Sequence, residues 1–283
     1  MSIEKRHQWS LVLLVSPLAT WLVVFLCLPI LLVFIYSFFQ RGPYGNIIFE
    51  FSLLNYARLF DPLYLTIFLR SMTLSLFTTA CCFCIGFPMA FAMATAKPAW
   101  RPWLFIALMI PFLTNFIVRV YAIRVLLSAE GPLNALLLSI GVLATPLSWN
   151  DSLVSVIIGM ITNYLPFMVL PLYVTLEKFD YSLLEAAADL GASWLQMFRK
   201  IILPLSLPGI LSGCFLVALP VLGEFIIPDL LGGAKTMLIG NLISDQFLKA
   251  RDWPFGSALS MLLIILVLLG VFAQALLKRR RVQ

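Results

Sequence analysis

Six apolar stretches alternate with short polar segments along the chain, and each is long enough to cross a hydrocarbon core of about 30 Å. They cover about residues 11–39, 71–96, 103–127, 153–176, 207–231 and 257–277. Short strands of alternating polarity do not appear, so the pattern predicts helices and not a barrel. The expected fold class is all-α: a polytopic membrane protein of six transmembrane helices, with one membrane domain over 1–283. Pro17 and Pro29 interrupt the first stretch, and Ser, Thr and Ala in the second allow close helix contact.

A polar interruption, 178–204, lies between the fourth and fifth stretches. Tyr181 to Leu190 consists of helix formers, with Asp180 or Ser182 available to cap the start. Gly191 stands where a helix ends on a residue able to take positive φ, so the chain should turn there. Trp194, Leu195 and Phe198 recur at helical spacing in a second short piece that ends on Arg199 and Lys200. Pro204 and Pro208 are expected to stop that piece and redirect the chain as it re-enters lipid.

Composition strengthens the membrane reading. The 283 residues are 62% hydrophobic and 11% charged, with a mean hydropathy of +1.02, more apolar surface than a soluble domain can hide. The net charge of +6 does not point to nucleic acid, because the basic residues sit in short loops beside the stretches and in the tail Lys278–Arg281. Membrane lipid is the expected surroundings, with Trp9 and Trp253 at its interface. With the N-terminus inside, eleven Lys and Arg lie on inner segments and five on outer ones, which places both termini in the cytoplasm. Lys5 and Arg6 ahead of a long apolar run read as the start of an uncleaved first span. His7 is the single histidine, and Cys27, Cys81, Cys82, Cys84 and Cys214 all lie in apolar stretches. Helix packing explains those cysteines better than redox or zinc chemistry, and no metal site is expected.

Polar residues inside the apolar stretches are the candidate chemistry. Glu224 sits in the fifth stretch between Pro220 and Pro228 and beside Gly223. Two prolines remove two backbone donors, so the helix should be kinked or partly unwound there. A carboxylate at that depth faces either a pathway or a partner. It is a cation-attracting group on a translocation path, or half of an ion pair with Arg119 of the third stretch. Asp229, Asn163, Tyr164 and Tyr121 are further candidates to line a path, while Arg124 should snorkel to the outer interface. The segment Gly232–Thr236 lacks the spacing of a phosphate-binding loop. No catalytic constellation is visible, so the chain is not expected to be an enzyme, and any ATP would be hydrolysed by another chain.

Glu185-Ala186-Ala187, then Gly191 after three residues, then Ile201, Leu203 and Pro204 after nine more, resembles the cytoplasmic coupling loop of ABC importer permeases. The resemblance implies a hairpin that docks into a groove on a separate ATPase subunit, with small Ala186, Ala187 and Ala188 allowing close approach and Glu185 as a charged handle. More of the chain is similar to permease subunits of spermidine/putrescine importers: Asn55–Arg58, Asp61–Tyr64, Arg119–Tyr121, Leu165–Met168, Gly223–Phe225, Leu231–Lys235 and Arg251–Gly256. It implies the type I ABC importer permease fold in a bacterial inner membrane. The implied partners are a second homologous permease, two ATP-binding cassette ATPase subunits and a periplasmic substrate-binding protein. No cofactor is implied on this chain, since ATP and Mg would be bound by the ATPase. Importer permeases for iron, phosphate or sulfate share the coupling loop. A secondary transporter or channel would have six spans and an intramembrane Glu without that hairpin, and a structural membrane subunit would leave Glu224 only as an ion pair.

Overall fold

A computed structural model describes residues 15–233 and 236–282. Expectations placed on residues 11–14, Lys5, Arg6, His7, Trp9, Lys235 and the basic side chains of 278–281 fall outside the described residues. Two compact units divide the chain: Met1–Tyr64 with Leu242–Ile265, and Leu65–Asn241 with Leu266–Gln283.

In the first unit, helix α1 (Val15–Tyr36) leads into a small antiparallel hairpin, β1 (Gln40–Arg41) and β2 (Ile47–Ile48). Gln40 pairs with Ile48 and Arg41 with Ile47, and Gly45 turns the chain at φ +77°. The buried Asn55 of α2 (Leu54–Arg58) donates to the carbonyls of Ser37 and Phe39, which ties the end of α1 to α2. Arg58 Nη1 donates to the buried Asp252 at 3.0 Å, and its guanidinium lies 3.9 Å from the Phe255 ring centroid. Burial opposes the Arg58 charge and is the largest single influence, but hydrogen bonds and charge attraction from Asp252 and Tyr64 together outweigh it and hold the pKa above its ordinary value.

The second unit holds most of α3 (Pro62–Thr95), then α4 (Arg101–Leu113), α5 (Phe116–Leu126), α6 (Pro132–Ser139), α7 (Leu153–Glu177), α8 (Ser182–Asp189), α9 (Trp194–Gly223) and α10 (Ile226–Leu231). Helix α11 (Ile239–Leu248) follows, and α12 (Trp253–Val282) closes the chain. Among the described residues, five helices are long and apolar enough to cross a membrane, and six if the bent pair α4 and α5 counts as one span.

Three expectations about the helices need correction. The third stretch is not one straight span: α4 and α5 meet at 91°. Thr114 and Asn115 are extended at ψ 153° and 135°, and the Asn115 side chain accepts from the N–H groups of Ile117 and Val118, so a cap starts a new helix there. The second span begins at Pro62, not Ser71, because Asp61 accepts from the Leu63 N–H at 2.9 Å and proline suits the first helical position. Pro204 and Pro208 do not stop α9, which runs on to Gly223. A wide turn over Phe198–Ile202 precedes Pro204, with Leu203 donating five residues back to Phe198. The same device, Val23–Cys27 with Leu28 donating to Val23, precedes Pro29 in α1. The extra residue in the turn displaces the carbonyl that each proline ring would strike.

The core of the second unit forms around α7, whose Val156, Met160, Met168, Val169 and Leu172 are fully buried. Helix α9 lies on it through Gly209 and Gly213, four residues apart on one face. A Cβ at Gly209 would stand 2.9 Å from the Pro171 carbonyl, and one at Gly213 3.1 Å from that of Met168. Small residues at this spacing let two backbones touch, which is how helices associate where lipid removes the hydrophobic drive.

Candidate functional site

Both broken helices carry a charged side chain at or near the break. After Gly223, Glu224 takes an extended conformation (ψ 130°) and Phe225 leads into α10. The Glu224 side chain turns back on this restart: Oε1 accepts from the Ile226 N–H at 2.8 Å and the Ile227 N–H at 3.3 Å. These are backbone donors that a helix start leaves without partners. The buried Tyr164 hydroxyl donates to Oε2. Of the kink or partial unwinding expected between Pro220 and Pro228, the structure shows the unwinding, a full break at Glu224.

Arg119 lies just past the other break. Its Nη1 donates to the Pro111 carbonyl at 2.7 Å, one of the acceptors left open where α4 ends, and its guanidinium stands 5.7 Å from the Phe112 ring centroid. A cation at a helix C-terminus also meets the negative end of the dipole. Its Nε donates to the buried Asn163 at 2.5 Å. The direct Arg119–Glu224 ion pair expected as one alternative is thus not formed. Each charge faces a helix terminus, and neighbouring residues of α7, Asn163 and Tyr164, hold them separately.

Asn163, Tyr164, Glu224 and Arg119 are brought together, whereas Tyr121 and Asp229 are exposed and stand outside this cluster. Arg124 Nη1 donates to the Leu230 carbonyl at 2.7 Å, tying α5 to α10. Sequence reading missed two groups that flank the Glu224 break. Asn241 Nδ2 donates to the Phe225 carbonyl at 2.8 Å, and Gly240 packs so closely that a Cβ there would lie 2.6 Å from the Glu224 carbonyl. The Gly240-Asn241 pair was the available signal. Two cavities of about 520 and 470 Å³ flank α3, one toward α4 and α7 and the other toward α9 and α12. Their walls are almost wholly carbon and neither includes Glu224, so they suit hydrocarbon and not a polar solute.

The hairpin of 178–204 has a defined local geometry. Asp180 Oδ1 accepts from the Ser182 N–H at 3.0 Å ahead of α8, and its hydrogen bonds to Ser182 hold the carboxyl below its ordinary pKa. Burial raises the Tyr181 hydroxyl above its ordinary value, while the Arg101 charge pulls the other way. Gly191 takes φ +81° with nothing within 4 Å of a Cβ placed there. Ser193 and Gln196 then form a reciprocal capping box that opens α9. Glu185, Ala186 and Gly191 are exposed, Ala187 half-buried, and Leu190 is 89% exposed at the tip. Ile201, Leu203 and Pro204 lie in and after the wide turn, with the buried Ile202 anchoring it to the core.

The family model described as "Binding-protein-dependent transport system inner membrane component" matches residues 82–283. The chain is 44% identical over 270 residues to the spermidine/putrescine transport system permease protein PotB of Haemophilus influenzae, covering 94% of each protein. It is 47% identical over 247 residues to PotB of Escherichia coli, covering 87% of this chain and 90% of that one. A shorter match, 34% over 125 residues, joins 44% of this chain to 47% of the spermidine/putrescine transport system permease protein PotC of Escherichia coli. Among solved structures, a bacterial ABC transporter involved in import of the acidic polysaccharide alginate superposes with a TM-score of 0.74 at 19% identity, over 98% of this chain and 97% of that one. The inward-facing MetNI methionine ABC transporter does so with a TM-score of 0.55 at 18% identity, over 76% and 94%. The structural likenesses speak to fold alone, and a fold does not select the sign of a solute's charge.

Proposed function

This chain belongs to the family of binding-protein-dependent transport system inner membrane components, and from that premise we propose that it is the permease subunit of an ATP-driven importer of polyamines of the spermidine/putrescine class. The observation that carries the substrate class is the 44% identity with the Haemophilus influenzae permease over 94% of both chains. The chain forms half of the path, a second homologous permease the other half. Two ATPase subunits bind ATP and Mg, and a periplasmic binding protein delivers the solute. Both termini are cytoplasmic, which places the 178–204 hairpin on the side of the ATPase. There Glu185, Ala186, Ala187 and Gly191 form the docking face, and Ile201, Leu203 and Pro204 pass its displacement into α9.

Glu224 marks the solute path at the break of the fifth span, with Asn163 and Tyr164 beside it and Asp229 and Tyr121 farther along toward the outside. Broken helices near mid-membrane are where transporters place solutes, and a carboxylate beside an aromatic ring suits an ammonium group. The test is uptake of labelled spermidine and putrescine into proteoliposomes holding the chain with its partners. Uptake should require ATP inside and the binding protein outside. Glu224→Gln should lower uptake while assembly and basal ATPase activity survive. ATP-driven uptake of a different solute, or assembly without any ATPase subunit, would overturn the assignment.

A further inference from the structure

The two breaks and the residues that hold them form one connected arrangement. Asn163 and Tyr164 stand near the middle of α7, which spans Leu153–Glu177. From these adjacent positions Asn163 reaches Arg119, which caps the end of α4, and Tyr164 reaches Glu224, which caps the start of α10. The half-helices beyond the breaks are bonded to each other through Arg124 and the Leu230 carbonyl. The Leu231 carbonyl accepts from Ser155 Oγ at 2.7 Å and from the Asp151 N–H at 2.9 Å, and Asn150 Nδ2 donates to the Arg124 carbonyl at 2.9 Å, so the start of α7 and the residues just before it bind both α10 and α5. On the other side of the breaks, α9 is locked to α7 by backbone contact at Gly209 and Gly213. At Thr114–Asn115 and Glu224–Phe225 the backbone leaves the helical conformation between one helix and the next, and such points absorb changes of φ and ψ.

We propose that Asn163 and Tyr164 are positioning residues for transport: they pin the two helix breaks to one level of α7, so that α5 and α10 move as a single element. The inference rests on the reading of the chain as a transport permease. It makes Arg119 and Glu224 the two ends of one support, each satisfying a helix terminus and each oriented by a neutral side chain. Removing the Tyr164 hydroxyl frees one break, and removing the Asn163 acceptor frees the other. Neither change takes away a charge.

The test uses the assembled importer in lipid nanodiscs, in a background without native cysteines, with spin labels at the exposed positions Ile106, Val125 and Leu216. The Val125–Ile106 distance reports the third-span break, and Val125–Leu216 reports the half beyond the breaks against α9. Between the nucleotide-free state and the state trapped with ADP and vanadate, both distances should shift together in the parent protein. In Tyr164→Phe, Val125–Leu216 should broaden and cease to follow Val125–Ile106. In Asn163→Leu the disturbed pair should be Val125–Ile106, and Asn163→Asp, which keeps the acceptor for Arg119, should restore it. Losing a hydrogen bond to a charged group should lower the uptake turnover roughly ten-fold. Four results overturn the inference: no shift in the parent, parental distances in Tyr164→Phe, a raised KM at unchanged turnover, or a loss of assembled complex with parental distances in what assembles. The distances are read in nucleotide states alone, so they decide the inference even where polyamine uptake fails.

Discussion

Gly209→Ala tests the packing on which the bundle depends. The added Cβ would lie 2.5 Å from Thr175 Oγ1 and 2.9 Å from the Pro171 carbonyl. Thr175 cannot simply turn away, because its hydroxyl donates to that same carbonyl at 2.8 Å. The backbones must then separate, and overpacking of this kind costs about 1–3 kcal/mol, with about 1 kcal/mol more for the Thr175 hydrogen bond. Alanine's better helix propensity returns about 1 kcal/mol. The net expectation is a loss of about 1–3 kcal/mol. At Gly213 the nearest atom to a Cβ is Met168 Sδ at 2.7 Å, the movable part of a flexible side chain, with the Met168 carbonyl next at 3.1 Å. That substitution should cost at most about 1 kcal/mol after the same propensity gain. At Gly223 nothing lies within 4 Å, so alanine there should be neutral or slightly stabilising. Thermal unfolding of the three variants in nanodiscs, followed by tryptophan fluorescence, should rank Gly223→Ala highest, then Gly213→Ala, then Gly209→Ala. A Gly209→Ala variant as stable as the parent would refute the close approach of α9 and α7.

Three further outcomes are expected. If both termini are inside, as proposed, a membrane-impermeant thiol reagent applied from outside should modify a cysteine at Leu248 and miss one at Ser193; the opposite pattern would remove the hairpin from the ATPase side. Gly191→Ala places a side chain at φ +81°, a left-handed conformation that costs about 1–2 kcal/mol. It and Glu185→Arg should lower binding-protein-stimulated ATPase activity while leaving the spans folded, and full stimulation in either assembled variant would make the hairpin a mere connector. Arg58→Met leaves the Asp252 carboxyl, 2% exposed, with the Phe255 N–H as its remaining donor. Breaking a buried pair costs about 3–5 kcal/mol, but Arg58 is itself 43% exposed, so water reaches the site and about 1–2 kcal/mol is expected. Asp252→Asn should be milder because it keeps an acceptor, and equal thermal midpoints for both variants and the parent would show that the pair adds no stability.

Local chemistry carried much of this molecule in its sequence. The apolar stretches, the Gly191 turn and the disturbed backbone around Glu224 follow from residue type and spacing, because burial preference, helix period and the φ of glycine act within a few residues. Some local signals were legible and were outweighed by the apolar pattern around them: Asn115 as a cap that splits the third stretch, Asp61-Pro62 as a helix start, and Gly209 and Gly213 as a contact face. What no local pattern determines is which polar group satisfies which. Arg119 meets a residue 44 positions away in Asn163, Tyr164 one 60 positions away in Glu224, and Arg58 one 194 positions away in Asp252. Electrostatics alone makes Arg119 and Glu224 obvious partners across the interior. The tertiary structure decides otherwise, because each charge lies beside a helix terminus with open backbone groups, and those groups, fixed in place by the breaks, satisfy it without moving two helices together.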